Sequence, residues 1–338
     1  MVTKRTEKKT VYPIQTFITD LSFSLGIHQF SQQPAPPGSI PARRLIIVGD
    51  VHGTRRTLEA LLSKVEFDKA EGDELIFVGD LVNKGPDSPG VIDLAVELGA
   101  RGVRGNHDDA VLQAAAAAAA AASALKGDQS EERKGSSVEV VDDDGDDDVR
   151  KEKEKMRKSR SDATAGMLST RQIEYLASLP LIIRIELTGP TGSSAGPPAG
   201  DEDTRTLVVV HAGLVPRTAL EEQSPHAVMH MRSLARPDTD ADGLMLVPLE
   251  EAGEEGWIAE WDRWQEERGG GAEKTMVVFG HDAKRRLQRG RWAVGLDTGC
   301  VYGGQLSAWV VGEGGSAGGG RGRLVQVDCV GGDEKKDV

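Results

Sequence analysis

Residues 45–53 read LIIVGDVHG: four apolar residues, a glycine, and then Asp50 and His52. An uninterrupted apolar run of this length fits a strand buried on both faces. The Gly-Asp exit puts a carboxylate just past its C-terminal end. The same device recurs along the chain. LIFVGD (75–80) delivers Asp80, VRGNHD (103–108) delivers Asn106 and His107, VVVHAG (208–213) delivers His211, and VVFGH (277–281) delivers His281. Open α/β sheets hold ligands beyond the C-terminal ends of their strands. Glycines beside these groups (Gly49, Gly79, Gly105, Gly213 and Gly280) permit a tight turn away from each strand.

Between the first two runs, TRRTLEALLSKVEF (54–67) carries Leu58, Leu61, Leu62 and Val65 at helical spacing. After the second, GPDSPGVIDLAVELGA (85–100) predicts another helix, with Ser88 as N-cap and Pro89 in the first turn. Strand, helix, strand, helix predicts βαβ units and a largely parallel sheet in an α/β fold. Ala114 to Ala122 favour helix. LSTRQIEYLASLPLIIRI (168–185) opens the second half with a Ser169–Gln172 capping box. RLVQVDCV (323–330) is the expected last strand.

The chain has 338 residues and a net charge of −13, to which the tract DDDGDDD (142–148) contributes. That balance argues against a general nucleic-acid binder, which needs a basic face to release counterions. The expected organisation is an N-terminal segment (1–40), one domain over 41–330, and a charged tail (331–338). A low-complexity insertion at about 127–160 has too few apolar residues to order itself. Residues 11–30 are apolar but broken by Gln15, Thr16, Thr19, Asp20, Ser22 and Ser24, so they predict neither a membrane span nor a signal core. With no address visible, the cytoplasm is the expected location. Cys300 and Cys329 lack metal-type spacing, which predicts no disulfide framework and a reducing compartment.

His, Asp and Asn donors without thiolates suit Zn, Mn or Fe rather than Ca, with Co also possible. Two divalent ions, two aspartates and a bridging hydroxide would leave a net charge of about +1. Such a site attracts a phosphoryl group, lowers the pKa of its water and directs in-line attack on phosphorus.

At these residues the chain resembles the calcineurin-like metallophosphoesterases. Their motifs stand here as GDVHG (49–53), GDLVNKGP (79–86), GNHD (105–108), HAG (211–213) and GH (280–281). The resemblance implies a β-sandwich of mixed sheets flanked by helices, with a dinuclear metal site at strand ends. It implies that Asp50, His52 and Asp80 bind one metal, and that Asp80 bridges to a second held by Asn106, His211 and His281. His107 would then be the proton donor to the leaving group. The segments FGHDAKRRLQ (279–288) and GLDTGCVYGGQLSAWV (295–310) resemble bacterial diadenosine tetraphosphatases and, more closely, fungal zinc-dependent endopolyphosphatases. The Ser/Thr protein phosphatases share the metal motifs but carry Asp and Arg where this chain has Asn83 and Lys84, and Glu where it has Asp108. In them that Asp orients the catalytic His, so Asp109 is a candidate for the task here. The expected function is hydrolysis of phosphoanhydride bonds, with inorganic polyphosphate first. Phosphoprotein or diadenosine tetraphosphate hydrolysis are the alternatives.

Arg104, Arg232, Arg236 and Lys84 are candidate phosphate grips, because a guanidinium fork matches phosphate oxygens. KRRLQRGR (284–291) could guide a polyanion with Lys284, Arg285, Arg286 and Arg289, or could be a solvated hairpin tip. His226 and His230 have ligand-like spacing but no acid between them, and are read as non-ligands. Trp257, Trp261 and Trp264 share a helical face. It is read as core, with adenine stacking as the alternative.

Overall fold

The computed structural model describes residues 12–25, 38–127, 145–188, 206–237, 245–269, 273–312 and 322–329. Two mixed sheets form its centre. The first has five strands in the order β14-β13-β3-β4-β5. These are β3 (Arg44–Val48), β4 (Asp73–Phe77), β5 (Arg101–Gly102), β13 (Gln305–Val311) and β14 (Arg323–Asp328). The parallel trio β3, β4 and β5 is extended by β13, which runs antiparallel to β3. The second has seven strands in the order β11-β12-β10-β7-β6-β1-β2. They are β1 (Ile18–Leu25), β2 (Ile40–Ala42), β6 (Ile182–Thr188), β7 (Thr206–Val210), β10 (Thr275–Phe279), β11 (Gln288–Arg289) and β12 (Ala293–Gly295), while β8 (Ser233–Ala235) and β9 (Val247–Leu249) pair as a separate ribbon.

Alternation along each strand explains why the apolar runs are unbroken. Leu45, Ile47, Ile76 and Val78 meet Ile183, Ile185, Leu207, Val209 and Val278 in the core between the sheets. Their neighbours Ile46, Val48, Leu75 and Phe77 face outward onto α1 (Arg55–Lys64), α2 (Ser88–Glu97) and α5 (Thr170–Ser178). On the far side, Val208, Val210 and Val277 pack on α6 (Pro225–His230) and α7 (Ile258–Glu267). Strands covered on both faces have no polar side to show, so their sequences carry none. This is the expected sandwich.

Several expectations needed correction. Of the segment expected before the domain, Ile18–Leu25 belongs to the sheet as β1. β1 pairs in parallel with β6 over Ile18–Ser24, and its Thr, Asp and Ser residues hid an alternating strand. Ser88 is not the cap of α2. Asp87 caps it by accepting the Gly90 N–H, while Ser88 Oγ accepts the Asn83 N–H. The Ser169–Gln172 capping box is present at the start of α5. Within 127–160, residues 128–144, including the first part of the acidic tract, lie outside the described residues. From Gly145, however, the chain is helical through Met167 (α4) and packs along α3 (Asn106–Gly127). Composition misled there because α4 needs little apolar burial. It anchors through the buried polar residues Ser161 and Thr164. Cys300 and Cys329 are joined in a disulfide with a Cα–Cα distance of 5.3 Å. The β13–β14 hairpin returns Cys329 to the start of β13, where its N–H bonds the Gly304 carbonyl. Sequence spacing gave no sign of that return.

Candidate active site

Asp50 and Asp80 leave β3 and β4 on the same edge of the five-stranded sheet, and His211 and His281 leave β7 and β10 of the other. The turns that aim them are tight. His52, Asp80, Asn83, Lys84 and His281 all hold positive φ, between 46° and 73°. Non-glycine residues seldom adopt this region, and such strain collects at functional sites. Space is as restricted as conformation. A Cβ on Gly105 would fall 2.1 Å from Asp80 Oδ1, and one on Gly280 would fall 2.0 Å from Asp50 Oδ1. Only glycine lets the carboxylates sit where they do.

The candidate ligand atoms converge. Those of Asp50, Asp80 and His211 lie within 4.8 Å of one another, as do those of His52, Asp80 and His107. Asp80 belongs to both groups. Backbone carbonyls fix the rings: His211 Nδ1 lies 2.9 Å from the Val78 carbonyl, and His52 Nδ1 lies 3.2 Å from that of Val82. His281 Nε2 lies 3.0 Å from the His230 carbonyl, which leaves Nδ1 for the site. Asn106 Oδ1 faces His211 Nε2 at 3.0 Å and His281 Nδ1 at 3.1 Å. Second partners of this kind set ring orientation in metal sites.

The electrostatics suit cations. Burial and the neighbouring charges of Asp297 and Asp80 push the Asp50 carboxyl well above its ordinary range, and burial raises Asp80 to about 6. Burial also lowers His211 to about 4, and pushes His52 and His281 well below the usual imidazole range. Crowded carboxylates beside neutral imidazoles are what divalent cations relieve, so the donor set fits the expected metals.

Comparison with known proteins then identifies the family. Residues 43–289 match the model of the calcineurin-like phosphoesterases. The chain belongs to this family. It is 27% identical over 311 residues to a symmetrical bis(5'-nucleosyl)-tetraphosphatase of Acidovorax sp. (strain JS42), covering 78% of this chain and 90% of that one. A shorter match is 42% identical over 72 residues to serine/threonine-protein phosphatase 1 of Salmonella typhimurium, spanning 33% of that protein. A solved structure provisionally assigned as a diadenosine tetraphosphatase superposes with a TM-score of 0.56 at 31% identity. It covers 91% of this chain and 97% of that one. Membership makes this calcineurin-like phosphoesterase a metal-dependent hydrolase of phosphate-containing substrates.

The expected phosphate grips separate. Lys84 Nζ stands 2.8 Å from His52 Nε2, beside the Tyr302 ring, and its charge acts on Asp80 and His107. Arg232 also acts on Asp80, His211 and His281, with one Nη1 on the Glu250 carbonyl. Arg236 instead bonds Glu260 and lines a groove with Pro216, Arg217 and Trp264. Arg104 is fully buried, and its Nη atoms bond the Ala177 carbonyl and Asp109. That placement inside the protein corrects its expected role as a grip on substrate.

In the basic stretch 284–291, Arg285 bonds Asp282 and the carbonyls of Ala252 and Gly253. Arg286 bonds the Thr298 carbonyl, Arg289 lies over Trp309, and Lys284 is exposed. Trp257 and Trp261 are core, with Trp257 Nε1 donating to the Ala212 carbonyl. His226 pairs with Glu250 and stacks on His230.

The sequence reading named Asp108 and Asn83 only as departures from the phosphatase pattern and gave neither a role. Asp108 accepts the backbone N–H groups of Asp80, Leu81, Val82 and Gly105, tying the two turns together. Its place in GNHD was the only signal. Asp109, the candidate partner of His107, pairs with Arg104 and Gln113 instead. The group against His107 Nδ1 is Asn83 Nδ2, at 3.2 Å.

Proposed function

We propose that this phosphoesterase hydrolyses phosphoanhydride bonds in an oligophosphate, with inorganic polyphosphate as the first candidate. In this reading Asp50, His52 and Asp80 hold one divalent ion, and Asp80, Asn106, His211 and His281 hold the other, with Zn or Mn favoured. When bound, the pair supplies a nucleophilic water and neutralises charge on the phosphoryl oxygens. The chain's own groups do the rest. Carbonyl-anchored rings keep the donors aimed. Lys84 and Arg232 flank the phosphoryl group. His107 stands beside the departing oxygen as its donor.

The observation that carries the reading is the charge around His107. Burial lowers its pKa far below the ordinary range, and Lys84, His211, Arg157 and Arg160 lower it further, in that order. Arg157 and Arg160 come from α4, on the face that carries Ser161 and Thr164. Lys84 beside His52, with the exposed Arg157 and Arg160 on the α4 face that carries Ser161 and Thr164, adds positive charge on the His107 side of the site, which suits a phosphate leaving group better than the hydroxyl of a serine side chain. The tetraphosphatase relatives favour a second reading, a dinucleoside tetraphosphate, which shares the same bond type.

The test is one assay of the Zn-, Mn- or Co-reconstituted protein on long-chain polyphosphate, diadenosine tetraphosphate and a phosphoserine peptide. Shortened polyphosphate on a gel supports the first reading, and cleaved dinucleotide alone supports the second. Peptide turnover with both anhydrides intact would overturn the proposal.

A further inference from the structure

Asn83 makes a closed set of contacts. Its Oδ1 accepts the backbone N–H of Lys84 at 3.1 Å and the Thr164 hydroxyl at 3.3 Å. Its Nδ2 lies 3.0 Å from Ser161 Oγ and 3.2 Å from His107 Nδ1. Oxygen and nitrogen of an amide are easily exchanged in a structure, but here the orientation is determined. A backbone N–H only donates, so the amide atom facing Lys84 must be the oxygen. The atom facing His107 is therefore the NH2 group, also a donor. His107 Nδ1 has to accept, and the ring's hydrogen sits on Nε2.

From this geometry we infer that Asn83, clamped by Ser161 and Thr164 of α4, is a positioning residue that selects for phosphate leaving groups by holding His107 as an Nε2–H hydrogen-bond donor. The inference rests on the reading of His107 given above. When the P–O bond breaks, its electron pair stays on the departing oxygen. If that oxygen belongs to a phosphate, the charge spreads over neighbouring oxygens, and a hydrogen bond from Nε2–H is enough. An alkoxide needs the proton itself. A ring that gave up its one hydrogen would become an anion. A ring carrying a hydrogen on each nitrogen would turn Nδ1–H against the Asn83 NH2. A carboxylate at position 83 would reverse this, accepting from Nδ1–H and leaving the ring neutral after Nε2 has passed its proton on. The fold supports the selection with more than one contact. Asn83 is buried at φ +73°, where Asn is tolerated better than most residues, and Ser161 and Thr164 are buried with it.

The test compares wild type with the isosteric Asn83→Asp, using polyphosphate and a phosphoserine peptide with the same metal. Full-length protein labelled with 15N at histidine gives the ring's hydrogen positions directly, before and after metal loading. Expected are an Nε2–H, Nδ1-bare His107 in wild type and an Nδ1-protonated ring in the variant. The ratio of peptide to polyphosphate turnover should rise by about tenfold or more, within the range general acid catalysis supplies. An unchanged ratio, or a wild-type ring with hydrogen on Nδ1, would overturn the inference. His107→Ala separates the two levels. If it leaves polyphosphate turnover intact, the reading of His107 itself fails. If it lowers turnover while Asn83→Asp moves both substrates equally, only the selection by Asn83 fails.

Discussion

The proposed metal ligands follow the ends of apolar strands, with a glycine one or two residues away, and all but Asn106, which begins α3, are buried. The wall beside His107 comes from α4, a helix whose sequence from Lys151 to Arg160 is charged and largely exposed. One region is fixed by the sheets, the other by packing along α3 and by the contacts of Ser161 and Thr164 to Asn83. The contrast suggests a division of labour. In the proposed reading the sheet edges would supply the reaction common to the family, and the helix would act on the leaving group, where substrates differ.

The largest effect should come from the sheet side. Asp80 lies in both groups of converging ligand atoms, and His107 N–H bonds its Oδ1. Asp80→Asn should reduce metal content measured by elemental analysis and abolish turnover of every substrate alike. Full metal stoichiometry in that variant would remove Asp80 as the bridge and weaken the contrast at its firmer end. His107→Ala comes next. It should cut polyphosphate turnover by about 10²–10³, and turnover on an alcohol leaving group, which the wild-type ring cannot protonate, by less, with metal content unchanged. Loss of metal would mean that His107 belongs with the ligands, not with the wall.

These regions also differ in how far the sequence revealed them. Apolar runs ending in Gly-Asp, Asn-His or Gly-His state both a strand and its exit, so the proposed ligands were legible one by one. Tertiary contacts between distant polar residues leave no such trace. Ser161 and Thr164 look like ordinary residues of a solvated helix until the fold brings Asn83 against them, 78 and 81 positions away in the chain. The same blindness acted in reverse at 284–291. Charge density there suggested a polyanion track, yet Arg285 reaches carbonyls 32 and 33 positions away and Arg286 one 12 positions away. Charge is written in the sequence; where its hydrogen bonds go is not. Asn83 was visible as a departure from the phosphatase pattern, but its partners were not.

A smaller effect tests the helix directly. Arg157 and Arg160 are exposed, so each should contribute under about 1 kcal/mol to an anionic substrate. Changing both to Ala should raise KM for polyphosphate by roughly up to tenfold, with kcat and metal content kept. The same change at Arg285 and Arg286 should lower thermal stability more than it alters KM. Equal KM effects from the two pairs would erase the distinction between a basic patch that serves substrate and one that ties the chain together.

The smallest effect on activity is expected at the opposite end of the five-stranded sheet, where charge serves the scaffold alone. Asp73 is fully buried at the start of β4, and its carboxylate receives Arg43 and Arg44 through contacts of 2.6–3.0 Å. Burial acts to raise its pKa, but the hydrogen bonds from Arg43 and Arg44 outweigh burial and hold it at about 2, from 3.8. A carboxylate whose folded pKa is depressed stabilises the fold above its unfolded value, and the gain is lost as pH falls through the folded one. Here that gain is on the order of 2 kcal/mol, present above about pH 4 and fading toward pH 2. Asp73→Asn should therefore lower the unfolding free energy at neutral pH by at least that order, since it also strands two guanidinium groups. The difference from wild type should shrink in acid, while KM for any substrate stays unchanged. A KM shift in this variant would show that the scaffold end and the site are coupled through β3 and β4. The sheet edge could then no longer be treated as a fixed base against which the helix does its selecting.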